Sequence, residues 1–380
     1  MKILVTSDSY LPRLGGGEYH VLYMNEALRA LGHTVVLLTN EPGDSDLQTI
    51  RVPYKGLGSV WSILAALWKY SEDADVVHAH YSYRLAFLAA VVTWLRRKPL
   101  VLTQHGLGLL PQVGATFLQD VVFRVWRRWS MRVARIIIST SDDLSVDIRS
   151  LGFGEKIIHI PNGYDASRFQ PLPFPLAPGD NPILLTVRRL VPKNGIQYLI
   201  AALPAIRHAF PGVRYVCIGD GRLKSELEVL VDELGVRDCI TFHGTKDHDE
   251  LLEFYRMAHV VVIPSTAEST SLSCIEAMAM QKTIVASRVG GLVELIGSHE
   301  ERGYLAAITP TEHCDYHAPL RIGADRIQLL ADAIIHALKH PAEAQRKATD
   351  AAAYMPSMFA WPVLAERVVA EAYMPAVQRS

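Results

Sequence analysis

Three clusters of side chains in this chain could do chemistry. The densest runs Ser265-Thr266-Ala267-Glu268-Ser269-Thr270-Ser271-Leu272-Ser273-Cys274-Ile275-Glu276. Its hydroxyl run, 269–273, supplies N-caps and unpaired N–H groups at the start of a helix, which is an anion site. Glu268 lies just before that helix and Glu276 about two turns in. A carboxylate beside an anion site is not there to bind the anion. It accepts hydrogen bonds from neutral hydroxyls, as an acidic residue does with ribose. Two such carboxylates suit a nucleotide ribose on one side and a sugar on the other. The plain alternative is one Glu favouring the helix dipole and one helix-surface Glu.

A second cluster, Arg188-Arg189-Leu190-Val191-Pro192-Lys193-Asn194-Gly195, directly follows a strand-like run. Arg189 and Lys193 stand four apart across a short turn. They can converge on one diphosphate, or be a solvated charge pair. The third cluster, Gly15-Gly16-Gly17-Glu18, separates the first strand pattern from the first helix pattern. Its glycines let backbone N–H groups approach an anion, and they equally suit a tight turn. The run is not GxGxxG, which argues against a nicotinamide dehydrogenase. His78 and His80 share one face of a strand pattern and could be metal ligands. With no third ligand nearby in the sequence, they read as structural residues, and no metal is expected.

The elements that must position these residues repeat one pattern twice. Short β-branched runs at 2–6, 34–39, 75–78, 100–103, 135–139 and 157–160 alternate with helical patterns at 18–30, 60–70, 84–97, 118–133 and 142–150. After a proline-rich stretch the alternation restarts, with strands at 183–187, 214–218, 239–242, 260–263 and 283–286. Several runs are apolar throughout, as strands buried on both faces of a parallel sheet are. The expected fold is α/β: two doubly wound, Rossmann-like domains facing a cleft, each binding ligands at the carboxyl ends of its strands. The expected boundaries are 1–169, a linker at 170–181, and 182–361. Helical patterns follow from 325, interrupted at Pro356 and Pro362. A C-terminal helix within 362–380 is expected to pack back on the first domain.

Composition narrows the function further. The 38 Lys+Arg and 39 Asp+Glu give a formal charge of −1, which argues against a general nucleic-acid binder. Cys217, Cys239, Cys274 and Cys314 form no CxxC pair, so neither a zinc site nor a disulfide framework is expected. The opening Met1-Lys2-Ile3-Leu4-Val5 runs straight into a strand pattern without signal-peptide features, and no apolar stretch is long enough to span a bilayer. A cytoplasmic location is expected. Residues 117–135 carry five arginines against the single acid Asp120, with Phe123, Trp126 and Trp129 among them. Two readings stand: an interfacial helix making peripheral contact with an anionic membrane face, or a core helix with an arginine face.

Taken in chain order, a series of motifs resembles the retaining glycosyltransferases of family GT4, which have the GT-B fold. They are Gly15-Gly16-Gly17, Pro161-Asn162-Gly163-Tyr164-Asp165, Arg189-Leu190-x-x-Lys193-Asn194-Gly195, Gly219-Asp220-Gly221, Phe242-His243-Gly244, Glu268-x7-Glu276 and Gly290-Gly291-Leu292-Val293-Glu294. The resemblance implies hexosyl transfer from a nucleotide-sugar to an acceptor hydroxyl on a glycan, a glycolipid precursor or a small molecule. It implies retention at the anomeric carbon and no metal or other cofactor. It makes 1–169 the acceptor side and 182–361 the nucleotide-sugar side. Arg189 and Lys193 would grip the diphosphate, helped by Thr270, Ser271 and Leu272 at the helix start. Glu276 would bind the ribose and Glu268 the donor sugar's hydroxyls. Gly16 and Gly17 would bring backbone to the phosphate, Gly219 and Gly244 would approach the nucleotide, and His105 would sit beside donor sugar and acceptor. The chain departs from the family at Arg188, where glycine is frequent, and near Thr270. A nucleotide-sugar epimerase of the same fold and a two-lobed ligand-binding protein are the alternatives.

Overall fold

Thirteen short strands build two parallel sheets in the computed structural model, which describes residues 1–13, 15–56, 58–81, 83–105, 117–172, 181–308 and 323–378. The first sheet holds β1 (Lys2–Ser7), β2 (Thr34–Thr39), β3 (Thr49–Arg51), β4 (Val76–His80), β5 (Leu100–Gln104), β6 (Ile136–Ser139) and β7 (Ile157–His159). Its order is β3-β2-β1-β4-β5-β6-β7, so the winding direction reverses between β1 and β4. The second sheet holds β8 (Ile183–Val187), β9 (Arg214–Ile218), β10 (Ile240–Phe242), β11 (Val260–Ile263), β12 (Thr283–Ser287) and β13 (Tyr304–Ala306). Its order is β10-β9-β8-β11-β12-β13, with the reversal between β8 and β11. In such sheets ligands bind outside the carboxyl ends of the strands at the reversal.

The chain divides into two units, Met1–Gly163 with Phe359–Ser380, and Tyr164–Met358. In the first, β4 is buried at every residue because helices cover both faces of the sheet. One face packs Val21, Met24 and Leu28 of the helix Gly16–Ala30 with Trp361, Leu364, Val368 and Tyr373 from the C-terminal segment. The other packs Ile63, Leu67, Leu85, Ala89 and Ile148. The second unit has its own core, with Leu199, Leu203, Tyr215, Val262 and Ile334 among its buried residues.

The boundaries differ from the sequence reading in particular places. Residues 164–169 pack with the second unit, where Phe169 is 2% exposed and its ring meets His248 and Tyr255. The C-terminal return starts at Phe359. There a Cβ on Gly163 would lie 2.8 Å from Leu364, from Trp361 and from the Phe359 carbonyl, which fixes the crossing. Pro356 does not interrupt its helix, Pro341–Phe359, and Pro362 sits at the start of the next, Trp361–Arg367, where no N–H is needed. Strands β3 and β13, three residues each at sheet edges, were not expected from the sequence. Most of the expected linker, at 173–180, and Cys314 lie outside the described residues. No described helix is long and apolar enough to cross a membrane.

Candidate active site

The second unit's reversal point gathers the motifs of 188–195 and 264–276. Arg188 and Arg189 leave the sheet directly after β8, and β11 feeds the loop that starts the helix Leu272–Ala279. Glycines let these loops cross in contact. A Cβ on Gly195 would lie 1.7 Å from the Pro264 carbonyl oxygen, one on Gly219 1.9 Å from that of Arg188, and one on Gly291 1.5 Å from that of Ser269. Gly219 therefore has a packing reason for being glycine. It also adopts φ 132° and donates its N–H to the carbonyl of Gly244 at 2.7 Å. Gly244 has open space around its Cβ position but adopts φ 69°, which disfavours a side chain.

Three cations meet there. The buried Arg188 guanidinium is ion-paired with Glu268. Its Nη1 donates to Ser271 Oγ at 2.9 Å and Ser273 Oγ at 3.4 Å, and its Nη2 to Asn194 Oδ1 at 3.3 Å. Burial pushes Arg188 down to about 10, so it stays charged at neutral pH. Burial, then the charges of Arg188 and Arg189, push Lys193 down to about 8. Arg189 is exposed. Ser271 caps the helix, accepting from the Cys274 N–H at 3.3 Å, so its hydroxyl serves both the helix and Arg188. The N–H groups of Leu272 and Ser273, in the helix's first turn, have no intrahelical acceptor. A cation excess beside a helix N-terminus favours an anion.

The two carboxylates sit in different surroundings. Glu268 has its Oε2 committed to Arg188, with Ser265 Oγ at 3.4 Å from the same oxygen. Glu276 is 5% exposed. It accepts from the Tyr255 hydroxyl at 2.9 Å, and its other oxygen lies 3.5 Å from His248 Nε2. Burial pushes Glu276 up to about 7, with the Tyr255 hydrogen bond opposing. Burial pushes His248 down to about 4, so it is neutral at pH 7.

In the first unit the reversal point carries a buried group of histidines. His20 comes from the helix Gly16–Ala30, His78 and His80 from β4, and His105 from just beyond β5. His80 Nδ1 lies 2.7 Å from His105 Nε2, and His20 Nδ1 lies 2.8 Å from Asn162 Oδ1. His78 bridges the Tyr373 hydroxyl at 2.7 Å and Thr103 Oγ1 at 2.6 Å. Burial holds all four neutral: His20 is pushed down to about 4, His78 to about 3, and His80 and His105 well below the usual range. The sequence suggested no further ligand near His78 and His80, and the fold corrects this. One ring nitrogen each from His20, His80 and His105 falls within 4.8 Å of the others. Two nitrogens on one tetrahedral zinc stand about 3.3 Å apart. The His80–His105 pair is closer and is arranged to share a proton.

The glycine loop before this helix is also tightly packed. A Cβ on Gly17 would fall 1.6 Å from the Tyr81 hydroxyl, and one on Gly15 2.5 Å from Glu18 Oε2. Gly16 opens the helix. Tyr81, directly after β4, holds φ 64°, an uncommon conformation for a tyrosine and one that collects at functional sites.

Similarity to known proteins extends over both units. A family model described as glycosyl transferases group 1 matches residues 172–314, and one described as glycosyltransferase family 4 matches 14–168. Glycogen synthase of Mycobacterium tuberculosis is 30% identical over 417 aligned residues, covering 99% of this chain and 95% of that protein. The chain belongs to glycosyltransferase family 4. Alpha-monoglucosyldiacylglycerol synthase of Acholeplasma laidlawii is 26% identical, covering 75% of this chain and 80% of that protein. Sucrose-phosphate synthase from Thermosynechococcus elongatus superposes with a TM-score of 0.77 at 25% identity over 100% of both chains, and the fold is GT-B.

For a family 4 glycosyltransferase, several contacts in the site escaped the sequence reading. Asn194 and Ser273 hold Arg188, and Tyr255 and His248 flank Glu276. Asn162 was visible only as part of a motif; its amide oxygen meets His20 from 142 residues away. Arg188 was visible as a departure from the family, but its partner Glu268 lies 80 residues on and could not be paired by spacing.

Proposed function

We propose that this glycosyltransferase moves a sugar from a nucleotide-sugar to an acceptor hydroxyl with retention and without a metal ion. The observation that carries this is the cation group Arg188, Arg189 and Lys193 beside the N-terminus of the helix Leu272–Ala279, with Glu268 as the counter-charge paired to it. Breaking the bond from the anomeric carbon to the diphosphate leaves its electron pair on the departing phosphate. Fixed cations and helix N–H groups stabilise that charge as it forms, which is what a divalent ion would otherwise supply. The acceptor oxygen then bonds to the anomeric carbon on the face the phosphate leaves. Its proton passes to the leaving phosphate, so no protein base is needed.

Other residues have supporting roles in this reading. Glu276, braced by Tyr255, accepts from the ribose hydroxyls. Glu268 holds a sugar hydroxyl through the oxygen not committed to Arg188. Neutral His105 hydrogen-bonds sugar or acceptor and carries no charge that would oppose an oxocarbenium-like centre. The backbone N–H groups of Gly16 and Gly17 would donate to an anion. The test is a thermal-shift panel of UDP-, GDP- and ADP-sugars, followed by acceptor screening with chelator present. Stabilisation by one donor and transfer that survives chelation are expected. No stabilisation by any donor, or an absolute need for Mn²⁺ or Mg²⁺, overturns the reading.

We also propose peripheral contact with an anionic, cytoplasmic membrane face and a lipid-linked acceptor. The name of the Acholeplasma relative specifies a glycolipid product for that protein. On the helix Phe117–Val133, Arg124, Arg128 and Arg132 are exposed. Trp126 stacks on Phe87, and Trp129 meets Trp94. The aromatics turned outward include Trp94, 59% exposed, and Trp61, 76% exposed, on the neighbouring helices Arg84–Arg96 and Gly58–Ser71. Exposed arginines and tryptophans on adjacent helices suit anionic headgroups and the lipid interface.

A further inference from the structure

Tyr81 is held in a backbone conformation that its side chain disfavours. It directly follows β4, and its N–H still donates to the Thr103 carbonyl at 2.8 Å, so the ladder to β5 reaches it. At that point φ turns to 64°, in the left-handed region. There the Cβ crowds the following carbonyl oxygen. Glycine goes there readily, and asparagine and aspartate do so at times because a short polar group bonds the local backbone. Tyrosine has no such group. Strain of this kind persists where surrounding contacts over-determine the conformation.

Those contacts lie on the ring and on the hydroxyl. The ring stacks on Tyr83 at 5.7 Å, with planes 18° apart, and meets the His105 ring at 4.8 Å. His105 also meets His80, stacked at 5.0 Å, and His20, edge to face at 4.4 Å. His20 and His80 are buried, whereas Tyr81 is half-buried. The hydroxyl reaches the glycine loop. A Cβ on Gly17 would fall 1.6 Å from it, and the three atoms nearest that Cβ all belong to Tyr81. Gly17 is the second residue of the helix Gly16–Ala30, and its φ lies outside the left-handed region. Helix propensity alone would favour alanine there. The Tyr81 hydroxyl is what excludes it.

We propose that Tyr81 is a positioning residue for transfer. One side chain, fixed by the turn at 81, sets both the seat of the His105 ring and the approach of the Gly15–Gly17 loop. Glycine at 81 would relieve the backbone but leave His105 and the loop without this support. The strain is therefore kept for the side chain's position. Position matters because transfer needs the reacting groups held in place, and a shift of about 1 Å can lower a rate by about 10²-fold. The roles of His105 and of the loop belong to the transferase reading, on which this proposal rests. Tyr81 acts through them and not on the sugar.

Thermal melting of the whole protein tests the packing. Gly17→Ala should lower Tm, and should lower it less in a Tyr81→Phe background, where the clashing oxygen is gone. Tyr81→Gly should melt about 2–4 °C above Tyr81→Ala, because only glycine takes this φ without strain. In NMR spectra the His105 Cε1–H resonance, assigned with His105→Gln, should move in Tyr81→Gly and much less in Tyr81→Phe, which keeps the ring. Hydrolysis of UDP-, GDP- or ADP-glucose, whichever stabilises the wild type, tests the role. Water takes the acceptor's place, and the released nucleoside diphosphate is measured. Tyr81→Ala and Tyr81→Gly should both lower kcat by about 10- to 100-fold. Donor KM should hardly change, since Arg189 and Lys193 belong to the second unit. Tyr81→Phe should lose much less. The rate would then follow the ring and not the stability, with Tyr81→Gly the more stable of the two slow variants and no faster. Equal cost of Gly17→Ala in both backgrounds, Tyr81→Ala melting at or above Tyr81→Gly, an unmoved His105 resonance, or normal kcat in Tyr81→Gly would each overturn the proposal. If no nucleotide-sugar stabilises the wild type, the transferase reading fails by itself. The melting cycle and the His105 resonance still decide whether Tyr81 holds the loop and the ring.

Discussion

Replacing Glu268 by alanine should destabilise the second unit strongly, and a diphosphate should reverse much of the loss. Arg188 and Glu268 have side chains only 8% and 9% exposed. Removing one partner of a buried pair costs about 3–5 kcal/mol, because the other charge remains buried and uncompensated. Arg188 would keep its bonds to Ser271, Ser273 and Asn194, which places the cost near the lower end, about 3 kcal/mol. For a unit of this size, each kcal/mol shifts Tm by about 2–4 °C, so Glu268→Ala should melt about 6–12 °C below wild type. Glu268→Gln, which can still accept from Arg188, should fall between. A bound diphosphate brings negative charge to the same cations. UDP, GDP or ADP, whichever stabilises the wild type, should therefore raise the Tm of Glu268→Ala by more than it raises the wild type. Replacing both partners, Arg188→Met with Glu268→Leu, should recover most of the stability without ligand, since no buried charge is left alone. Differential scanning fluorimetry with and without nucleotide measures all of these. If Glu268→Ala melts within about 1 °C of wild type, or if nucleotide stabilises both equally, the argument that Glu268 balances an anion-seeking cation group is wrong.

Other perturbations separate the roles assigned to neighbouring groups. Lys193→Ala should lower kcat by about 10²–10³-fold, and near-normal turnover would remove Lys193 from the leaving-group site. With its ammonium pushed down to about 8, kcat/KM should fall as pH rises past that value, and Lys193→Arg should abolish this alkaline limb. Glu276→Ala should raise the donor KM, and equal affinity of wild type and variant for the nucleoside diphosphate would exclude ribose binding. Because burial raises the folded pKa of Glu276 to about 7 from an ordinary 4.5, the native state holds the extra proton in that window. Its contribution to stability is complete below about 4.5 and is lost as pH rises through about 7, and Glu276→Gln should flatten that slope. Anionic vesicles should sediment the protein at low salt but not at high salt, and Arg124→Glu with Arg128→Glu should weaken this. No sedimentation at low salt would end the membrane proposal.

How much of this was legible in the sequence depended on the physics of each feature. The strand at 260–263 could be read because both faces of a parallel sheet are covered, and burial writes an unbroken apolar run. The loops at 188–195 and 264–271 could be placed because a doubly wound sheet exposes the carboxyl ends of its strands. Allegiance to a unit could not be read for 164–169, since it is decided by where the Phe169 ring packs. Nor could the histidine group, whose members come from three separate segments and meet only once the sheet is assembled. Pro356 looked like a break, yet the helix Pro341–Phe359 continues through it.

The glycines of the second unit explain how like charges are held together. Arg188, Arg189 and Lys193 repel one another, and their loops would separate if backbone contact did not hold them. That contact is made where one strand of chain lies against another with no room for a side chain. Gly219 lies against the Arg188 carbonyl, Gly221 against that of Leu190, Gly195 against that of Pro264 and Gly291 against that of Ser269. Each of these glycines touches a loop that carries a charged or capping residue. A methyl group at Gly291 would displace Ser269 and, two residues on, the Ser271 hydroxyl that serves both Arg188 and the helix N-terminus. These four glycines are therefore crossing points of the loops, and they fix the spacing of the cations that a diphosphate would meet.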